Sequence, residues 1–318
     1  MTGIRRFSND HPLFFGLICA VLFVLTFYVL PVFLYMMGCY DVVAHECFVA
    51  IFFSALAIKV AGPFRLSRKG IGYTLRKSTY FLIISNGTVF FFVFILLVTG
   101  TFTLEKGWVG RVLYFGLYLF SVGVFEEILL RVLITGSFVR KFGNTSRGFI
   151  LAVTAGSLCF GLIHVLPDIM FGRVNDLSTV LQMLLKTADT AIVGLLLTAL
   201  YYRTHNIWGC ILTHMLADLQ ILMVLALMNQ PMIESYIRTD ENPGGNSMSY
   251  VIYPLILFLF YLPILSAALR ELSKIKTPEY GPFIGGWEPR DPLSDPESDV
   301  EELSEIPESL SETAMVSK

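Results

Sequence analysis

Eight long apolar segments dominate the sequence and limit what the chain can fold into. A helix that crosses a bilayer needs about 20 mostly apolar residues. Hydrophobic residues make up 55% of the chain and charged residues 15%, against about 25% charged residues in an average soluble domain. This composition argues against a soluble enzyme, a disordered chain or a nucleic-acid-binding protein. It predicts an all-α, polytopic transmembrane helical bundle of about eight spanning helices, at 12–37, 46–62, 80–100, 108–137, 149–170, 179–200, 207–229 and 250–269.

The positive charges between these segments predict an orientation, because cytoplasmic loops carry an excess of Lys and Arg. One alternating set of loops and ends holds three such residues, Lys106, Arg173 and Arg238. The other set holds Arg5, Arg6, Arg65, Arg68, Lys69, Arg76, Lys77, Arg140, Lys141, Arg147, Arg203, Arg270, Lys274 and Lys276. We therefore expect an integral membrane protein with both termini in the cytoplasm. The pattern does not distinguish a bacterial plasma membrane from the endoplasmic reticulum.

Three regions follow from this distribution of charge. Residues 1–107 hold the first three helices, with a basic cytoplasmic loop at 63–79 that either contacts membrane lipid headgroups or only sets topology. Residues 108–276 hold the predicted catalytic core and the last helix. Residues 277–318 carry eleven acidic and two basic residues with six prolines, a composition typical of disorder. This acidic tail is a candidate for binding a protein partner.

The fourth apolar segment contains four charged residues, and three of them, Glu126, Glu127 and Arg131, lie close together. A charge at the centre of a spanning helix costs roughly 2.5–3.5 kcal/mol on insertion scales. Glu127 and Arg131 are four residues apart and share one helix face, so they can pair. Glu126 lies about 100° around the helix from Glu127. It needs a different partner, or a proton.

Two later segments supply polar groups that can meet Glu126. The fifth contains His164, and the seventh contains His214 and Asp218 on one helix face. At about 1.5 Å per residue, Glu126 and Asp218 come to similar depth, with the two histidines about 6 Å above and below. A carboxylate with two imidazoles suits activation of water by a general base. The same four side chains are alternatively zinc ligands.

The remaining candidates are weaker. Lys186 and Asp189 are three residues apart in the sixth segment. The simplest interpretation is that they form an ion pair with each other. His45 is predicted to lie in a loop before the second helix.

Three ordered motifs carry a resemblance to a known family. Glu126-Glu127 with Arg131, Phe160 with His164, and His214 with Asp218 resemble the motifs of the CAAX protease and bacteriocin-processing family of glutamic intramembrane endopeptidases. The resemblance covers roughly residues 108–220.

The resemblance implies roles for these side chains. Glu126 would activate water with help from His164, while His214 and Asp218 would stabilise the oxyanion. Glu127 and Arg131 would support the site, without a metal cofactor; zinc is the alternative. Asp218 stands where asparagine is commoner in the family, and an ionised carboxylate only accepts hydrogen bonds. Orienting His214 is therefore the other role open to Asp218.

The function that follows is an intramembrane endopeptidase. Its substrate would be a membrane-associated protein or peptide, of which prenylated CAAX-type proteins are one class that the resemblance implies. Two alternatives stay open: a non-catalytic membrane immunity or scaffold protein of the same fold, and a proton-coupled transporter. The transporter is less favoured because no inverted repeat is visible in the sequence. The expected partners are membrane lipid and the substrate, with no nucleic acid.

Overall fold

The computed structural model of the chain describes residues 3–64, 66, 68–100, 106–222, 226, 227, 237, 238 and 249–275. All regular elements in these ranges are helical, which confirms the all-α prediction. The α-helices are α1 (Gly3–Asp10), α2 (Pro12–Val24), α3 (Leu30–Met36), α4 (Val42–Ala61), α5 (Arg68–Lys77), α6 (Thr79–Val98), α7 (Trp108–Glu127), α8 (Gly136–Phe142), α9 (Ser146–Met170), α10 (Leu177–Thr204), α11 (Ile207–Ala217), α12 (Leu219–Leu222) and α13 (Ser249–Ser273). The predicted acidic tail lies outside the described residues.

Five helical segments within the described ranges are long and apolar enough to cross a membrane. They correspond to five of the predicted spans, and they support an integral membrane protein. The segments are Pro12–Met36, Val42–Ala61, Ser146–Met170, Leu177–Thr204 and Tyr250–Ser273. Many of their large apolar side chains are exposed, for example Phe14 and Leu17 in α2 and Leu255 and Leu259 in α13. Lipid tails are the natural cover for so much apolar surface.

The other three predicted spans are helical but are not among these five. Segment 80–100 forms α6, and segment 108–137 forms α7 and the turns that follow it. Segment 207–229 differs most from the prediction, because α11 ends at Ala217 and a turn at Asp218 separates it from α12. With 11 residues, α11 extends only about 16 Å along its axis, too short to cross a bilayer.

Side-chain caps explain where several helices begin. Asp41 precedes α4 and accepts a hydrogen bond from the Ala44 amide at 2.8 Å. Asp176 opens α10 by accepting from the Thr179 amide at 2.7 Å, and Asn206 opens α11 by accepting from the Trp208 amide at 3.0 Å. Each cap satisfies an amide that lacks a partner within its own helix. The Asp41 cap places His45 inside α4, so the prediction that His45 lies in a loop is wrong.

Wide π-helical turns interrupt two helices. The first covers Leu25–Val29 between α2 and α3. Pro31 follows two residues after its end, and the missing amide of Pro31 removes one helical hydrogen bond. The second covers Ile128–Thr135 and connects α7 to α8. It begins at the residue after Glu127, so the two glutamates stand at the boundary between the two helical geometries. Such π-helical turns often occur at functional sites.

The packing gathers four helices around the end of α7. α7 packs against α4 on one side and α11 on another, while α10 packs against α9 and α13. The π-helical turn Ile128–Thr135 lies against α9. This arrangement brings α9, which carries His164, and α11, which carries His214, to the Glu126-Glu127 pair.

Candidate active site

Glu126 and Glu127 are brought to α11 by a close helix crossing. Gly123 in α7 lies so near the Ile211 carbonyl of α11 that a Cβ at Gly123 would sit 3.2 Å from that oxygen. Small residues permit such approaches between membrane helices. Since Gly123 precedes Glu126 by three residues, and Ile211 precedes His214 by three, the crossing sets both glutamates beside His214.

Glu127 is held in a fully buried ion pair. Arg131 Nε donates to Glu127 Oε2 and Arg131 Nη2 donates to Oε1, both at 3.0 Å, and neither side chain is exposed. This is the bidentate geometry that makes Arg–carboxylate pairs strong. The Arg131 guanidinium also stacks over the Phe160 ring at 4.5 Å. The pairing predicted from the four-residue spacing is therefore present, and Phe160 is its aromatic support.

Glu127 also fixes the ring of His214. His214 Nδ1 lies 2.9 Å from Glu127 Oε1, and because an ionised carboxylate only accepts, Nδ1 carries a proton and donates it. The opposite ring nitrogen, Nε2, then points at two other carboxylates. It lies 3.6 Å from Glu126 Oε2 and 3.4 Å from Asp218 Oδ2.

His164 approaches Glu126 from α9. Its Nδ1 donates to the Phe160 carbonyl at 2.9 Å, since a carbonyl oxygen can only accept. In a neutral ring this leaves the lone pair on Nε2, and Nε2 lies 3.8 Å from Glu126 Oε2. The two side chains thus face each other at a separation wider than a hydrogen bond.

Glu126 differs from its neighbour in having no close partner for one oxygen. In the described part of the chain, the buried Oε2 atom makes no hydrogen bond, although two imidazole nitrogens lie within 3.8 Å of it. A polar contact slightly beyond 3.5 Å is the separation at which a bridging water is expected. The structure thus brings together all four predicted catalytic residues, with Glu126 Oε2 at their centre.

The described residues form no preformed zinc site, the alternative to a metal-free mechanism. Within the described residues, no group of three or more His, Cys, Asp or Glu side chains has an arrangement that would hold a metal ion. His214 Nδ1 is engaged by Glu127 and His164 Nδ1 by a backbone carbonyl, so only the Nε2 atoms of the two rings face Glu126. Zinc dependence stays an untested alternative.

The structure places charged residues near the site that the sequence analysis did not assign to it. Glu46 is buried in α4 beside His45 and interacts electrostatically with Glu126. His45 Nε2 contacts the Thr26 carbonyl at 2.8 Å. Asp41 is the sequence feature that could have predicted this, because its helix cap starts α4 before His45 and Glu46 and so places both in the helix. Lys186 of α10 directly precedes Thr187, whose carbonyl oxygen lies against Gly161 of α9, three residues before His164.

Comparison with protein families confirms the resemblance for the segment that carries the site. Residues 107–220 match the family described as Rce1-like, type II CAAX prenyl endopeptidase Rce1-like. The matched segment contains α7 to α11 and all six predicted site residues. Neither a curated protein nor a solved structure matches the chain. The family match and the apolar helices together support a membrane protease of this family.

Proposed function

We propose that the chain is an intramembrane endopeptidase in which Glu126 activates a water molecule for attack on a peptide bond. The observation that carries this proposal is the position of Glu126 Oε2. It is buried, lacks a hydrogen bond in the described structure, and faces the Nε2 atoms of His164 and His214 at 3.8 and 3.6 Å. A water to one side of Glu126 Oε2 and His164 Nε2 would be within hydrogen-bond distance of both atoms.

The geometry indicates how the water would be held. Glu126 Oε2 and, in a neutral ring, His164 Nε2 are both acceptors, so one water can donate one hydrogen to each. Its oxygen lone pair then points away from both and toward a bound substrate. As the oxygen attacks the scissile carbonyl, Glu126 takes the proton. A positioned general base of this kind contributes typically 10²–10⁴-fold to a rate.

The second half of the reaction needs a donor for the oxyanion and a proton for the leaving amine. His214 Nδ1 is committed to Glu127, so Nε2 donates to an oxyanion only when the ring is doubly protonated. We assign His214 this role. Glu127 accepts from Nδ1 and orients the ring, as the aspartate of a catalytic triad does. The negative charge of Asp218, whose Oδ2 lies 3.4 Å from Nε2, stabilises the doubly protonated ring. Glu126 returns its proton to the departing nitrogen, the peptide bond breaks, and the carboxylate is regenerated.

The substrate we propose is a membrane-associated protein or peptide, with prenylated CAAX-type proteins as the class that the family match suggests. The apolar outer surface of the helices would contact membrane lipid. Both termini are proposed to be cytoplasmic, from the distribution of Lys and Arg. The acidic tail is proposed to bind a protein partner.

The decisive experiment compares protein termini in membranes that contain wild type or Glu126→Gln at equal abundance. New termini that disappear with Glu126→Gln and persist with the matched variant Glu271→Gln would establish proteolysis and identify the substrate. Identical maps for wild type and Glu126→Gln would reject the enzymatic function and favour the non-catalytic alternative.

A second arm addresses zinc. Purified protein in detergent is dialysed against a strong zinc chelator and assayed on the substrate found in the first arm. The proposed metal-free mechanism predicts unchanged turnover. Loss of activity that added zinc restores would instead assign Glu126, His164, His214 and Asp218 as zinc ligands.

A further inference from the structure

The end of α11 is held by an asparagine that the proposed mechanism does not use. Asn86 of α6 is buried, and its Nδ2 donates to the Leu216 carbonyl of α11 at 2.8 Å. The same nitrogen donates to the Leu82 carbonyl, one turn back in α6, at 3.1 Å. Because carbonyl oxygens only accept, the atom that faces both of them is the amide nitrogen, and both of its hydrogens are used. Asn86 therefore ties α6 to α11 at one defined point.

The Leu216 carbonyl is a group that α11 cannot satisfy by itself. An α-helix leaves its last four carbonyls without an intrahelical partner, and α11 ends at Ala217. In a membrane such a carbonyl cannot rely on water, so it needs a donor from the protein. The Asp218 amide donates to the His214 carbonyl at 3.1 Å, and Asn86 supplies the donor for Leu216 from a neighbouring helix.

Asn86 is a costly residue if helix packing is its only role. In the described part of the chain, its buried Oδ1 makes no hydrogen bond. A buried acceptor without a partner costs about 1–3 kcal/mol, whereas a leucine of similar size would fill the space without that cost. The hydrogen bond to α11 is what the asparagine provides and a leucine would not.

The tied carbonyl lies between the two site residues of α11. Leu216 comes two residues after His214 and two before Asp218, and Asp218 Oδ2 lies 3.4 Å from His214 Nε2. Asp218 stands in the turn that ends α11, and helix ends are where the backbone frays. Since α6 packs against both α11 and α12, a hydrogen bond from α6 restrains the turn from both sides of Asp218.

The opposite end of α11 is held by α5. A Cβ at Gly209 would lie 2.7 Å from Thr74 Oγ1, and a Cβ at Gly70 would lie 2.9 Å from Asn206 Nδ2, so the two helices touch. Both α5 and α6 precede the segment 107–220 that matches the family. Helices outside the matched segment therefore support the helix that carries His214.

We propose that Asn86 is a positioning residue that acts through the end of α11. Its hydrogen bond to Leu216 holds Asp218 at His214 Nε2, and so keeps in place the charge that stabilises the doubly protonated ring. The catalytic consequence rests on the function proposed above, whereas the hold on α11 does not. The competing assignment is a hydrogen bond that only stabilises the packing of α6 against α11.

Kinetics of matched variants separate the two assignments. Asn86→Leu removes the donor at similar volume. We expect it to lower kcat about 10- to 50-fold with KM within about threefold, since a displacement of about 1 Å can cost 10²-fold in rate. Tyr80→Phe is the control, because the Tyr80 hydroxyl of the same helix donates to the Phe260 carbonyl of α13 at 3.3 Å. This control should change kcat less than about twofold.

Two further variants test the route through Asp218. In the Asp218→Asn background, Asn86→Leu should lower kcat less than about threefold, because substitutions that act through one group are non-additive. Asn86→Gln keeps an amide donor and should retain more activity than Asn86→Leu. An equally large loss from Asn86→Leu in both backgrounds would leave only the structural assignment.

Amide hydrogen exchange of the purified proteins in detergent gives a readout that needs no proteolysis. Asn86→Leu should speed exchange in the last turn of α11 at least about tenfold, and Tyr80→Phe should leave it unchanged. Exchange and kcat equal to wild type in Asn86→Leu would overturn the proposal. If the wild type cleaves nothing, the proposed function fails, while exchange still decides whether Asn86 holds the end of α11. If Asn86→Leu does not fold, Asn86→Ala replaces it.

Discussion

Two clusters of buried carboxylates differ in how completely their charges are matched. Glu271 of α13 is surrounded by donors: the Tyr73 hydroxyl at 2.7 Å, Lys274 Nζ at 3.3 Å and Lys77 Nζ at 3.9 Å. Glu126 has imidazole nitrogens only at 3.6 and 3.8 Å, and one of its oxygens makes no hydrogen bond in the described structure. Both carboxylates are placed by helix packing, yet of the two only Glu126 has a buried oxygen without a hydrogen bond in the described structure.

The difference teaches how to separate a structural charge from a reactive one. A buried carboxylate with donors in contact stabilises the junction of its helices, here α5 with α13. A buried carboxylate whose neighbours lie beyond hydrogen-bond distance does not recover the full free-energy cost of its desolvation. A substrate or water that hydrogen-bonds to it would offset the remainder. Glu127 falls in the first class although it is adjacent to Glu126 in sequence.

The largest predicted effect is the difference in turnover between a variant at Glu126 and one at Glu271. Glu126→Gln removes the base and should lower kcat roughly 10²- to 10⁴-fold, with Tm within about 2 °C of wild type. Glu271→Gln removes a charge from its hydrogen bonds with Tyr73 and Lys274, so it should lower Tm by several degrees and change kcat less than threefold. Turnover and thermal unfolding of both variants in detergent check this. A similar loss of turnover in both would erase the distinction.

Breaking the buried pair should affect folding before it affects chemistry. Arg131→Met leaves buried Glu127 without its ion-pair partner and with only the hydrogen bond from His214; removing one partner costs about 3–5 kcal/mol in comparable buried pairs. We expect a large drop in folded yield and Tm. The double variant Arg131→Met/Glu127→Gln leaves no unpaired charge and should recover part of the Tm. Equal instability of the single and double variants would show that the pair contributes by shape alone.

A smaller effect is expected from separating α9 and α10 without touching a charge. Gly161→Ala places a methyl group against the Thr187 carbonyl and should shift His164 relative to Glu126. A displacement of about 1 Å can cost 10²-fold in rate, so we expect kcat to fall 10- to 100-fold. Gly116→Ala in α7 is the matched control, since a Cβ there meets nothing within 4 Å. Parallel kinetics of the two variants would decide whether the crossing positions the site.

The smallest effect concerns a carboxylate at the surface. The Tyr114 hydroxyl donates to Asp41 at 2.6 Å, and together with the Ala44 amide it lowers the pKa of Asp41 below its usual value. Ionised Asp41 therefore stabilises the fold above the unfolded pKa of about 3.9, and this is lost as pH falls through the folded pKa.

Asp41→Ala should thus lower Tm by roughly 1–3 °C near pH 6, and the difference from wild type should vanish in acid. Tyr114→Phe keeps the helix cap and should show a smaller difference. A Tm difference that is constant down to pH 3 would contradict an electrostatic origin.

The sequence by itself determined the class of fold and predicted the residues of the candidate site. The length of the apolar segments requires helices that bury their own backbone hydrogen bonds in lipid, and the cost of charge inside them marked Glu126, Glu127, Arg131, His164, His214 and Asp218. The four-residue spacing was enough to predict the Glu127–Arg131 pair, because that contact is made within a single helical turn.

Tertiary structure alone decided which of these groups touch. Sequence spacing could not show that Glu127, and not Glu126, holds His214, because that contact depends on the crossing of α7 and α11 at Gly123. It could not predict that α11 ends at Ala217. Contacts between helices depend on how side chains from separate segments pack against each other. The residue pattern within one segment does not predict its register against another.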